Sequence, residues 1–198
     1  MGKIIHGNQS FGYATINTTS PTAPEFTAPV MLPGMVSCEI EVDQEATKIY
    51  ADNREYFSLL GAKARTATAS FRHITTAYAE LLGFKKNANG VMTDTAAHKP
   101  HCIFFETLEA DSETGEETRT LHYLYNVTGK EPSFSSATDE DEVEAQEIEV
   151  EYECADSSFV KDDDENLVQY AYITRTEQNK TWYDTFKTKV LLPTDSLS

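Results

Sequence analysis

His98, His101 and Cys102 are the residues in this sequence whose types and closeness could hold a transition metal. Imidazole and thiolate are good zinc donors, but zinc also needs a fourth ligand, or an open position with supporting hydrogen bonds. Pro100 stiffens the cluster, and a loop histidine before a strand is the simpler reading. Residues 162–166 (DDDEN) have the charge of a calcium loop. They lack the alternating oxygen ligands and central glycine of an EF-hand, so they read as a solvated acidic turn. No nucleophile elbow, phosphate loop, HExxH or GxGxxG occurs. Carboxylates are so frequent that no single pair marks acid–base chemistry. His73 and His122 read as structural. The sequence assigns no catalytic residue, no metal and no cofactor, and reads as a non-enzyme.

One acidic pattern is ordered. Residues 146–154 alternate, with Ile148, Val150, Tyr152 and Cys154 on one side and Glu147, Glu149, Glu151 and Glu153 on the other. Met35–Asp43 repeats this, with Val36, Cys38, Ile40 and Val42 opposite Ser37, Glu39, Glu41 and Asp43. Period two is the signature of a half-buried strand. If both strands join one sheet, that sheet has a strongly negative face. Like charges directly across strands destabilise pairing. Such a face is either surface solubility or a surface that repels a polyanion.

Further strands are predicted at 64–72, 101–108, 119–127 and 167–175. Residues 101–108 and 119–127 form a hairpin around the polar tip EADSETGEET. Ile103 and Phe105 face one way and Phe104 and Leu108 the other, which predicts a strand covered on both faces. Leu121, Tyr123, Tyr125 and Val127 line one face of its partner. Ile74, Tyr78, Leu81 and Leu82 fit helical spacing, so 75–82 is a short helix, capped by Thr75 or Thr76 and ended by Gly83. Residues 44–63 and 85–99 read as connections, with 48–51 open to extending a strand and turn chemistry at Asp52-Asn53, Gly61 and Asn89-Gly90. Residues 128–146 read as a loop with an acidic run. Trp182 and Phe186 fit one or two helical turns, followed by the apolar anchor Val190, Leu191 and Leu192.

The expected fold is mainly β: an antiparallel sandwich or barrel-like core with one short flanking helix and long loop and arm extensions. The expected division is an N-terminal extended arm at 1–34, a core at 35–180 and a C-terminal arm at 181–198. The first arm follows from Pro21, Pro24, Pro29 and Pro33, which fix φ and remove donors.

The 198 residues carry 33 acidic and 16 basic side chains, a net charge of −17. That balance disfavours specific nucleic-acid binding and anionic membranes. No apolar run approaches the roughly 20 residues that span a bilayer. The N-terminus lacks a signal-peptide core, and a cytoplasmic site of synthesis is expected. Cys38, Cys102 and Cys154 sit far apart and read as small hydrophobes in strands.

The segment IYADNREY (49–56) and the stretch ARTATASFRHITTAYAELLGFKKNANGVM (64–92) resemble the major tail tube proteins of long-tailed, siphovirus-like bacteriophages. The resemblance covers about residues 36–92. DNREYF stands where family members often carry a glycine-containing turn. The resemblance implies the phage tail tube fold, with subunits in hexameric rings stacked into a tube. The tube would contact tape-measure, tail terminator and distal tail proteins, and DNA would pass through it without specific binding. The protein would assemble in the host cytoplasm and reside in the virion tail. On this reading Glu39, Glu41, Glu147, Glu149, Glu151 and Glu153 are candidates to face the lumen. The loop 50–63, with Tyr50, Asp52, Tyr56, Phe57, Leu59 and Leu60, would pack on the adjacent ring. Phe26, Trp182 and Phe186 would serve as arm contacts to neighbouring subunits. The alternative is a soluble β-sandwich binding or adhesion module of a phage baseplate or decoration protein; an enzyme with a carboxylate pair in a cleft is least supported.

Overall fold

The computed structural model describes residues 3–18, 24–134 and 146–195. Pro21 and most of the expected acidic loop lie outside them. The chain runs β1 (Lys3–Asn17), β2 (Glu25–Phe26), β3 (Val30–Met31), β4 (Met35–Asp43), β5 (Ala46–Ala51), β6 (Arg54–Leu60), β7 (Ala64–Phe71), α1 (Thr76–Ala79), β8 (Leu82–Lys86) and β9 (Met92–His98). It continues through β10 (His101–Asp111), β11 (Glu117–Gly129), β12 (Ser133–Phe134), β13 (Ile148–Cys154), β14 (Tyr170–Thr174), α2 (Lys180–Tyr183) and a 3-10 turn at Asp184–Lys187.

The main sheet is antiparallel, in the order β2-β1-β10-β11-β13-β7-β4, and β14 also pairs with β11. β11 can hold two partners on one edge because it is long. Thr120–Leu124 pair with β14, and Val127–Gly129 pair with β13. The sheet rolls until β4 comes close to β1. The expected mainly β architecture with one short flanking helix is what the chain adopts.

Two cores follow from this curvature. The first lies inside the roll, where Phe11, Phe71, Tyr78, Ile103, Phe105, Val150 and Tyr152 pack. The Phe11 and Phe71 rings meet edge to face at 4.8 Å. α1 is short but placed by its cap, as Thr75 Oγ1 accepts a hydrogen bond from the Tyr78 N–H. Tyr78 is thereby driven into the core, where its hydroxyl meets that of Tyr152 at 2.5 Å. The second core covers the outer face of β10 and β11 with Phe104, Leu121, Tyr123, Tyr125, Tyr183, Phe186 and Leu191. β10 is thus covered on both faces, as its apolar alternation predicts.

Several expectations are corrected. Residues 3–17 are not an arm but a strand paired with β10 along nearly its whole length. Its register shifts at Ile5/Gly7 and Gln9/Phe11 erase the alternation that would have announced it. Glu25–Phe26 and Val30–Met31 fold back onto β1. The C-terminal segment is also bound at home. Tyr183, Phe186, Val190 and Leu191 are buried, each burial contributing about 1.5–3 kcal/mol. Tyr125 donates its hydroxyl proton to the Leu191 carbonyl at 2.7 Å. Val127 faces the first core while Leu121, Tyr123 and Tyr125 face the second. A bulge where His101↔Val127 gives way to Ile103↔Leu124 inserts one residue and flips the parity. The helix stops at Ala79, and Gly83, with φ +102°, sits inside β8 rather than closing a helix. The stretches 44–63 and 85–99, expected as connections, hold the hairpin β5–β6 and all of β8–β9 but its first residues, 82–84.

His101 gives the fold a pH dependence. The ring is fully buried among the edges of Tyr13, Tyr78 and Tyr152. Nδ1 bonds the Lys99 carbonyl at 2.8 Å, and Nε2 has no partner. Burial lowers its pKa to about 4 from an ordinary 6.5, outweighing the Lys99 carbonyl, which raises it. Between these values the unfolded chain binds more protons, so acidification disfavours the fold. The contribution is intact above pH 6.5 and gone near pH 4, a loss of about 3 kcal/mol. Desolvation lowers the His122 pKa too, adding in the same direction. Urea midpoints should therefore fall between pH 7 and 4.5, and His101→Gln should flatten that fall. An unchanged slope in the variant would refute the assignment.

Candidate functional site

The three strands β4, β7 and β13 carry the ordered acidic pattern, and register decides how it is assembled. Tyr152 pairs with Ala67, which pairs with Ile40; Val150 pairs with Ala69, which pairs with Cys38. These side chains face the first core. The alternate residues must then face outward. Glu39, Thr68 and Glu151 form one transverse row, and Glu41, Thr66 and Glu153 the next. A third row holds Ser37, Ser70 and Glu149. All five of these glutamates are exposed.

Both acidic strands therefore join one sheet, but not as direct neighbours. The hydroxyl row of β7 separates them by two strand spacings, about 10 Å. That is near the Debye length at moderate salt, so mutual repulsion is largely screened. Lys130 neutralises part of the β13 row, with Nζ 2.8 Å from Glu151 and 3.1 Å from Glu153. Glu147 lies just before β13 and meets Arg72 at 3.3 Å. Sequence reading missed Lys130 and Arg72; both are distant in sequence from the carboxylates they serve. Glu39, Glu41 and Glu149 make no ion pair among the described residues. The result is a solvated anionic sheet face beside an edge with no strand partner among the described residues, since β4 ends the strand order.

β5–β6 extends from the Asp43/Ala64 end of the same strands. Asp52 and Asn53 both take positive φ, 52° and 59°, and close a two-residue turn without glycine. Tyr50, Tyr56, Phe57, Leu59 and Leu60 are 48–77% exposed, and Asp52 sits in the turn. The hairpin's residues pair with each other and bury nothing on the core. A lone two-stranded hairpin is marginal in water, and exposed apolar clusters of this size mark contact surfaces. Asp-Asn between two apolar runs was the signal that could have revealed it.

The remaining candidates are not brought together. Phe26 packs on Tyr125 and Phe159, and Trp182 and Phe186 join the second core of their own chain. His101 and Cys102 face opposite cores, and His98 bonds the Gly129 carbonyl at 2.8 Å. Asp162 accepts the N–H groups of Asp164 and Asn166, so that acidic turn is held by its own backbone. Burial pushes the Cys38 and Cys154 thiols up to about 12, far from reactive thiolates.

Comparison with known proteins adds the family. No curated protein sequence matches the chain. Among solved structures, a chain of the cryo-EM structure of the anti-feeding prophage (AFP) baseplate, 6-fold symmetrised, aligns at a TM-score of 0.46 and 6% identity, covering 87% of this chain and 97% of that one. The family model described as phage tail tube protein matches residues 2–198. With that match running the length of the chain, this protein belongs to the phage tail tube protein family.

Proposed function

We propose that this chain is the repeating subunit of a phage tail tube, with the acidic face of β4, β7 and β13 lining a channel for DNA. The observation that carries the reading is the outward carboxylate rows, held by a core-facing alternation that permits no other orientation. Basic lumen residues would bind DNA by releasing counterions from its phosphates. Carboxylates offer no such gain, and DNA slides past them. Six subunits per ring, stacked into a tube, follow the resemblance to siphovirus-like tail tube proteins. Ring closure would also cover the free edge of β4, which otherwise invites uncontrolled pairing. The hairpin β5–β6 would pack against the adjacent ring. Tape-measure, terminator and distal tail proteins are the partners such a tube requires. Assembly takes place in the host cytoplasm, and the product is the virion tail.

Electron microscopy of the purified protein over a range of salt tests this directly. Hollow striated tubes, with Glu39, Glu41, Glu151 and Glu153 on the inner wall of the reconstruction, are expected. Tubes with those side chains on the outer wall would overturn the lumen assignment.

A further inference from the structure

We infer that the hairpin β8–β9 is a cationic contact that docks onto the acidic β10–β11 turn of a second copy, stacked head to tail. This rests on the tube reading above and supplies its axial polarity.

The two features sit at opposite ends of one strand pair. The turn joining β10 to β11 lies between Asp111 and Glu117. β8–β9 is rooted at the other end of these strands, where the Lys99 N–H donates to the Leu81 carbonyl and the His98 ring bonds the Gly129 carbonyl. The root is tight: a Cβ on Gly129 would overlap the Leu82 side chain. Eleven residues of β10 separate the ends, roughly 35 Å in extended chain. Copies stacked along these strands place one root against the other's turn. A heterologous contact repeated by translation along these strands does not close on itself and propagates along an axis.

Charge makes the ends complementary. On a chain of net charge −17, β8–β9 and the residue after it hold Lys85, Lys86 and Lys99 against a single carboxylate, Asp94. Asp94 turns its Oδ1 to the Ala96 N–H. The three lysines are exposed and have no ion pair among the described residues. Lys48, Arg72, Lys130, Lys161, Arg175, Lys180 and Lys189 each meet a carboxylate of their own chain, while Arg54, Lys63 and Lys187 share the lack of an ion pair among the described residues. The turn segment 109–117 holds five carboxylates and no cation. Glu113 and Glu116 are exposed at its tip and make no ion pair among the described residues. Both features are held in shape. Asn87 Oδ1 accepts the N–H groups of Asn89 and Val91, and Asp111 Oδ1 accepts those of Glu113 and Thr114. One exposed pair contributes little alone, but a ring repeats it in every subunit at once.

A charge exchange tests the pairing. Lys85→Glu with Lys86→Glu, and separately Glu113→Lys with Glu116→Lys, should yield rings that do not stack, with the critical concentration for tubes raised about tenfold or more. The four changes combined should restore tubes. Urea midpoints equal to the wild type establish that each variant is folded. Variants that all polymerise like the wild type overturn this pairing and leave the tube reading standing. So does a folded combined variant that fails to stack. Loss of rings rather than of stacking would make the contact lateral and also overturn it. A wild type that forms neither rings nor tubes brings down the tube reading, and this pairing with it.

Discussion

Replacing Tyr56, Phe57, Leu59 and Leu60 together with serine should abolish tube growth while leaving the monomer's unfolding midpoint unchanged. The argument is one of where apolar area is spent. Every residue of β6 is exposed, and β5 and β6 pair with each other away from the core. Surface substitutions of this kind shift stability by no more than about 0.5 kcal/mol each. On the proposed stacking role a neighbour in the tube would cover the same side chains, each gaining up to about 1.5–3 kcal/mol on full burial. Four such losses per subunit, repeated around a ring, exceed what a stacking contact can absorb. The measurement is paired: urea unfolding for the monomer, and sedimentation with electron microscopy for assembly. Tubes of normal length from the quadruple variant would refute the hairpin's role. A lowered midpoint would instead show that the hairpin serves its own fold.

The second large effect concerns the acidic face. Glu39→Lys, Glu41→Lys, Glu151→Lys and Glu153→Lys in one chain should give tails of normal length that deliver DNA poorly, with infective titre down on the order of 100-fold or more. The side chains are solvated, so folding is little altered. On the proposed lumen assignment, the sign of the channel wall is what would change. Lysines along the channel would bind phosphates through counterion release, and the binding would weaken steeply with salt. The glutamine versions remove the repulsion without adding attraction and should fall between. Normal titre from the lysine variant with normal tails would exclude these residues from the DNA path. Loss of tails altogether would place the face at a subunit contact.

How much was legible depends on whether a pattern was local. In β13 the strict alternation of Glu with Ile, Val, Tyr and Cys announces both the strand and its exposed face, because the side-chain period of a strand is two. The existence of a short helix carrying Tyr78, with a threonine cap at its start, was equally readable, since a cap acts within one turn. β1 was hidden because two bulges break its period. The apparent arms were misread for a different reason. Prolines and polar residues describe a segment's backbone, whereas Phe26, Phe186 and Leu191 are held by surfaces on β10 and β11 far away in sequence.

The sequence by itself determined the mainly β class, the acidic character, the doubly covered β10 and the strand faces wherever alternation is unbroken. Tertiary structure alone decided the rest. It set the register that places a hydroxyl row between Glu39 and Glu151 and the bulge that turns Val127 to the other core. It also set the opposite ends at which β8–β9 and the β10–β11 turn emerge. Alternation states which side of a strand is apolar. Which strands lie side by side, and in what register, is chosen by the burial of all of them together.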